Sequence, residues 1–275
     1  MRRRHLIAGL GATALAATER PGSAAAPDYR VGSALPDPPF ELMTDKGPIG
    51  FDMDLTRLIA KALGRPWRLV PYEGANFNDI FAGLGAGTYD CIASGTTATR
   101  GRAQIVDFCA PYAVSGQSLV VNAKRLPKVK SIDDLKGLTI GVQAGNTSQP
   151  VADKLVAEGR AAAVKVYAYD QIETALGDVS AGRCDAVMKL APVMQYLLRS
   201  YPDLRIVQTA ITCEFLAISV RKGDPLRDDI NRIQAGFAQD GTLDRLIAKW
   251  LKAGTASIAG ADTLFPPEML SAAFR

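Results

Sequence analysis

The sequence predicts an α/β protein of two lobes, each a mostly parallel sheet flanked by helices. Three observations predict it. From Tyr29 onward, short apolar runs alternate with segments of helical period, the pattern of parallel strands joined by crossover helices. A second series of the same kind begins near Thr139, after the rhythm changes past Pro111 and Lys124, Arg125, Lys128 and Lys130 mark an exposed loop. Finally, residues 84–92 are echoed by residues 179–187: each stretch places Ala-Gly at a helix end, then Asp, then an apolar strand. Glycine there relieves the left-handed cap.

The elements follow in order. Residues 29–32 read as a strand, followed by the proline-rich loop 35–39. Phe51, Leu55, Leu58, Ile59 and Leu63 recur at helical spacing, with Gly64 just past the end. Residues 67–70 form a second strand, 76–86 a second helix and 91–94 a third strand. Beyond the change of rhythm, strands are predicted over 117–122, 139–143, 164–167, 186–188 and 217–221. Helices are predicted over 148–158, 171–180 and 192–200, with a helical pair over 225–251 broken near Asp240-Gly241. Ligands of open α/β sheets lie outside the carboxyl ends of the strands. Two such lobes facing each other would close on a small molecule.

The chain has 275 residues, 48% apolar and 22% charged, a globular composition. It has no run of about 18 apolar residues, as a membrane-spanning helix requires. Arg2, Arg3 and Arg4 precede an apolar stretch that ends in Ser23-Ala24-Ala25, so residues 1–25 read as an export signal. A lipid anchor at the new N-terminus is not expected, because no cysteine stands there. Removing the signal lowers the net charge from +4 to +1, leaving no basic patch for nucleic acid. The single histidine, His5, leaves as well, and with it any imidazole for a nucleophilic pair or a typical zinc site. No cofactor is expected. Cys91, Cys109, Cys184 and Cys213 remain, either as buried free thiols or in one of three full disulfide pairings.

Two stretches carry chemistry. Residues 94–102 join Ser94, Gly95, three threonines, Arg100 and Arg102 at a strand's carboxyl end. A guanidinium there offers two parallel donors matched to a carboxylate. Residues 143–148 open a helix in the second series, where free amides attract an anion.

Several motifs resemble the family 3 bacterial solute-binding proteins, the periplasmic polar amino-acid receptors of ABC transporters. They are Gly50-Phe51-Asp52-Met53-Asp54-Leu55 with its helix, residues 94–102 leading into Val106-Asp107-Phe108, residues 135–145, and Val220-Arg221-Lys222-Gly223-Asp224. The resemblance runs from about Tyr29 to Leu251. It implies the two-lobed periplasmic-binding-protein (type II) fold, with crossing hinge strands near residues 113–120 and 213–217 and closure on the ligand. Lobe 1 is expected over residues 28–112 plus 217–253 and lobe 2 over 118–212. Residues 254–275 form an extension expected to pack loosely or stay mobile.

By the same resemblance, Arg102 holds the ligand's α-carboxylate, with Ser94, Gly95 and Thr97 around the ligand backbone. Gly145 and Thr147 act on the same carboxylate from the second lobe, and Phe77 forms an aromatic wall. The departures concern the ligand's ammonium. Leu190 stands where the family places an Asp, Ala34 replaces an acidic residue, and Asp37 replaces an aromatic. Either Asp37 or Glu214 supplies an anion, or the ligand has no α-ammonium; Lys189 would suit a second carboxylate. The expected function is a monomeric periplasmic receptor that hands a small carboxylate-bearing metabolite, an amino acid or related organic acid, to ABC permease subunits. Cyclohexadienyl dehydratases also resemble the family, but their acid stands where this chain has Leu190, so no enzyme activity is expected. A ligand sensor without transport is the other alternative.

Overall fold

The structure is a computed structural model that describes residues 26–251 and 254–273; the export signal expected over 1–25 lies outside them. The chain starts with β1 (Tyr29–Ser33), the hairpin β2 (Leu42–Thr44) and β3 (Gly47–Ile49), α1 (Phe51–Ala62) and β4 (Trp67–Pro71). A 3-10 turn (Phe77–Phe81) runs into α2 (Ala82–Gly85), followed by β5 (Cys91–Ile92), α3 (Arg100–Ala103) and β6 (Val106–Phe108). The chain then crosses through β7 (Ala113–Ser115) into β8 (Gln117–Asn122).

The second unit holds β9 (Thr139–Gln143), α4 (Ser148–Ala157), β10 (Ala163–Tyr167) and α5 (Ile172–Ala181). It continues with β11 (Ala186–Leu190), α6 (Ala191–Leu197) and β12 (Leu204–Gln208). The return crossing is β13 (Glu214–Leu216), leading to β14 (Ser219–Arg221), α7 (Leu226–Gln239), α8 (Thr242–Trp250) and finally α9 (Pro267–Ala273).

Two five-stranded sheets result, ordered β4-β1-β5-β14-β6 and β10-β9-β11-β8-β12. In each, four strands run the same way, three of them as neighbours joined by the βαβ rhythm, and one, β14 or β8, runs against them. The antiparallel members β14 and β8 continue the two crossing segments, so they enter their sheets from the opposite direction. The crossings themselves pair as an antiparallel ribbon, with Ser115 opposite Glu214 and Ala113 opposite Leu216.

The internal echo has a structural counterpart. Gly87 and Gly182 both take positive φ, +70° and +78°. The following aspartates then cap a neighbouring strand: Asp90 accepts from the Arg30 N–H at 3.1 Å and Asp185 from the Thr139 N–H at 2.9 Å. Lobe 1 buries Phe51, Leu55 and Ile59 of α1 in one core with Leu243, Leu246 and Ile247 of α8. Lobe 2 packs Leu119, Ile140, Val142, Leu155 and Met188 into another.

Three elements depart from expectation. The helix expected over 76–86 is mostly a 3-10 turn, because the Asn76 side chain accepts from the Asn78 N–H and tightens the start. The strand expected to reach Ser94 ends at Ile92, where the chain turns toward Gly95 at φ +53°. The segment after residue 253 is not loosely packed. Ala256 and Val114 exchange both backbone hydrogen bonds at 3.0 Å, and Phe265 is buried with Val114 and Phe215. The outer edge of β7 has backbone groups to satisfy, and this segment satisfies them. All four cysteines are free thiols, Cys91, Cys109 and Cys184 buried and Cys213 half-buried.

Candidate functional site

The carboxyl ends of β5, β9 and β11 meet across the cleft. The closed lobes leave a cavity of about 20 Å³, the scale of one water molecule, so a larger solute enters only when the lobes part. Nine residues singled out from the sequence line it: Asp37, Phe77, Ser94, Gly95, Thr97, Arg102, Thr147, Lys189 and Leu190. Gly145 borders an adjoining hollow of about 560 Å³ at the cleft mouth, which Arg102 also reaches.

Arg102 is the central cation. Thr99 caps α3 by accepting from the Arg102 N–H, which sets the side chain at the strand end. Its guanidinium donates to Asn78 Oδ1 at 3.1 Å, to the Thr97 carbonyl at 2.9 Å and across the cleft to the Gly145 carbonyl at 3.0 Å. It lies over the Phe77 and Phe81 rings at 4.9 and 5.3 Å. Burial lowers its pKa to about 10, partly offset by the field of Glu214. Among the described residues no carboxylate stands within 4.0 Å of this guanidinium; its partners are neutral oxygens.

The Thr97 and Thr147 hydroxyls, both lining the cavity, donate to a carboxylate of the hinge. Glu214 of β13 accepts Thr97 Oγ1 at 2.5 Å and Thr147 Oγ1 at 2.7 Å on one oxygen. Its other oxygen accepts Gln117 Nε2 at 2.8 Å and Thr212 Oγ1 at 2.7 Å. One carboxylate thus gathers Thr97 of lobe 1, Thr147 of lobe 2 and the hinge itself. Spacing could not reveal this, because the glutamate is far from both threonines in the chain.

Lys189 is neither a surface lysine nor a free cation. Its ammonium lies 2.8 Å from Asp37 in the facing lobe, with both side chains nearly excluded from water. It also donates to Gln143 Oε1 at 2.6 Å and sits 5.4 Å from the Tyr169 ring centre. Burial raises the Asp37 pKa, and the Lys189 charge opposes that rise. The second carboxylate that Lys189 was expected to suit would compete with Asp37. Leu190 closes β11 as a buried apolar wall.

Ser94 and Gly95 look away from the cleft as well as lining it. Ser94 Oγ donates to Glu41 Oε1 at 2.5 Å and accepts from the Ala34 N–H. The Gly95 N–H donates to Asp52 Oδ2 at 2.6 Å, so this amide is engaged within its own lobe. A Cβ at Gly95 would meet the Phe40 ring at 2.8 Å. Burial, then repulsion from Asp52 and Asp37, holds Glu41 well above the ordinary carboxylate range. Burial raises Asp52 to about 7.

Gly145 permits the close approach of the lobes. It takes φ +77°, and a side chain there would collide with Asn76 and the Phe77 backbone of the other lobe. The Phe77 N–H donates to the Ala144 carbonyl at 3.1 Å beside it. The Gly145 N–H is held by Gln149 Oε1.

Sequence reading missed Tyr169, Gln117 and Asn78, and gave no separate role to Gln143 and Asn146 within the stretch 143–148. Tyr169 packs its ring 5.3 Å from Phe77 across the cleft and accepts Gln143 Nε2 on its carbonyl. It follows β10 directly, so the rule that ligand groups gather at strand carboxyl ends could have found it.

Known proteins resemble this chain over most of its length. The chain is 30% identical over 236 residues to ABC transporter arginine-binding protein 1 of Escherichia coli (strain K12), covering 83% of this chain and 93% of that protein. It is similar to the structure of an ancestral arginine-binding protein bound to arginine, with a TM-score of 0.74 and 34% identity, covering 81% of this chain and 97% of that one. It is also similar to an ancestral amino acid-binding protein, a precursor of cyclohexadienyl dehydratase, with a TM-score of 0.73 and 32% identity over 82% and 96% of the two chains. The sequence profile of one family matches residues 29–253, a span that takes in both sheets, both crossing strands and every residue placed in the cleft above. The chain therefore belongs to the bacterial extracellular solute-binding proteins, family 3.

Proposed function

We propose that this protein is the periplasmic receptor of an ABC importer, binding a small carboxylate-bearing metabolite between its lobes and delivering it to the membrane permease as a monomer. The observation that carries the reading is Arg102, a buried guanidinium at the cleft whose partners are neutral oxygens. A buried cation gains most from an ionised, bidentate acceptor. When the lobes part, the link from Arg102 to the Gly145 carbonyl opens, and a carboxylate can take that place. Closure about the β7–β13 ribbon then returns the second lobe over the solute, presenting the permease with one loaded shape. The name of the arginine-binding relative supports the transport assignment.

The reading is of a binder and not an enzyme. Leu190, buried at the end of β11, has no proton to transfer, and incubation with prephenate or arogenate is expected to give no product. The decisive variant is Arg102→Ala, examined by calorimetric titration against a panel of amino acids and organic acids. Loss of binding in a protein that still unfolds cooperatively is the expected result. Binding unchanged from wild type would remove Arg102 from the site and the reading with it.

A further inference from the structure

We propose that the solute is a small monocarboxylate without an α-ammonium group, and that the cleft disfavours the zwitterion of an ordinary amino acid. The inference rests on the reading of Arg102 as the carboxylate's partner and names the substrate class of that same site.

A zwitterion needs an anion close to the cation that takes its carboxylate. The inner cavity has one carboxylate in its wall, Asp37, and the Lys189 ammonium lies 2.8 Å from it. Glu214 stands behind Thr97, Gln117 and Thr147 of that wall and borders an adjoining depression beside Thr212 and Cys213. Each of its two oxygens already takes two donors, about the full lone-pair capacity of a carboxylate. Glu41 and Asp52 are wholly buried and turn toward the Ser94 hydroxyl and the Gly95 N–H. Asp153 stands exposed at the outer mouth, where water and salt screen it.

What remains of the wall beside Arg102 carries no charge, its polar members being Ser94, Thr97, Gln117, Asn146 and Thr147. Leu190 ends β11, and the Phe77 and Tyr169 rings face each other across the gap. An ammonium brought here loses its hydration and finds no unoccupied acceptor charge. A second carboxylate fares no better, because Lys189 is already neutralised by Asp37. A single carboxylate on an apolar or uncharged body matches both the cation and the wall.

The test is calorimetric titration of the full chain with matched pairs that differ only in the α-ammonium: L-leucine and 4-methylpentanoate, L-phenylalanine and 3-phenylpropanoate, L-arginine and 5-guanidinopentanoate. Succinate serves as the dicarboxylate. The expected result is that at least one des-amino acid binds tenfold or more tighter than its amino acid and tighter than succinate. An amino acid that binds as tightly as its des-amino partner, or more tightly, overturns this inference while leaving the carboxylate receptor standing. No binding by any compound, with or without the ammonium, overturns both. Leu190→Asp adds a carboxylate to the wall and is expected to narrow or reverse the preference. A folded L190D protein that keeps the wild-type preference also overturns the inference, and Leu190→Asn serves the same comparison if the charged variant does not fold.

Discussion

The Lys189 ammonium of one lobe lies 2.8 Å from the Asp37 carboxylate of the other, and both are sealed from water when the cleft is closed. This pair joins β11 of lobe 2 to the proline-rich loop of lobe 1. Opening the cleft separates it and rehydrates both charges.

Removing one partner leaves the other charge buried alone. Lys189→Met is expected to destabilise the closed protein by about 3–5 kcal/mol, whereas the apolar double replacement Asp37→Leu with Lys189→Met is expected to cost far less. Urea unfolding of the three proteins measures both quantities. A single variant no less stable than the double would contradict the pairing.

Glu214 holds the lobes through its four donors. Glu214→Gln turns one acceptor into a donor facing other donors, at a cost of about 1–3 kcal/mol. The ties from Thr97 and Thr147 weaken together, so small-angle scattering should show a larger radius of gyration than wild type. An unchanged radius would mean that other contacts keep the cleft shut.

Gly145→Ala separates closure from folding. The added methyl collides with Asn76 and the Phe77 backbone of the facing lobe. Gly159→Ala is the control: its φ is also positive, at +69°, but nothing lies within 4 Å of an added Cβ. Both bear a left-handed backbone penalty of about 1–2 kcal/mol. Only Gly145→Ala is expected to weaken solute binding and expand the particle in scattering. Equal effects from the two variants would reduce the role of Gly145 to backbone conformation.

Asp52 makes stability depend on pH. Burial raises its pKa in the folded protein from 3.8 to about 7, so the folded state binds more protons than the unfolded state between those values. Stability then falls as pH rises from about 4 toward 7 and levels off above. Glu41, also raised, adds to the same slope. Denaturant titrations at pH 5 and pH 7.5 should show wild type more stable at the lower value by this contribution, and Asp52→Asn should shrink the difference. A difference unchanged in the variant would assign the slope to Glu41 or other groups.

Much of the architecture was legible before any coordinates. The helical spacing of Phe51, Leu55 and Ile59 marks α1, and the Ala-Gly-then-Asp corners announce two lobes of one plan. These signals are local: side-chain periodicity and glycine's tolerance of positive φ act within a few residues. Arg102 was legible as a guanidinium in the short helix α3 just past the end of β5, where ligand groups of such sheets gather. The hairpin β2–β3 and strands β6 and β12 were not, because such short segments take their conformation from neighbours they pair with.

The sequence by itself determined the alternation of most strands and helices and the plan of two lobes, and its resemblance to the family implied the hinge crossings and many of the residues that line the cleft. Tertiary structure alone decided what those residues do there. Thr97 and Thr147 turn to Glu214, the Gly95 amide turns to Asp52, and Lys189 meets Asp37. Each partner lies far away along the chain, and a buried charge or hydroxyl must find whichever complement the fold brings within about 3 Å. Local pattern places a group on an element's face, but only the packed lobes determine which polar atom stands opposite.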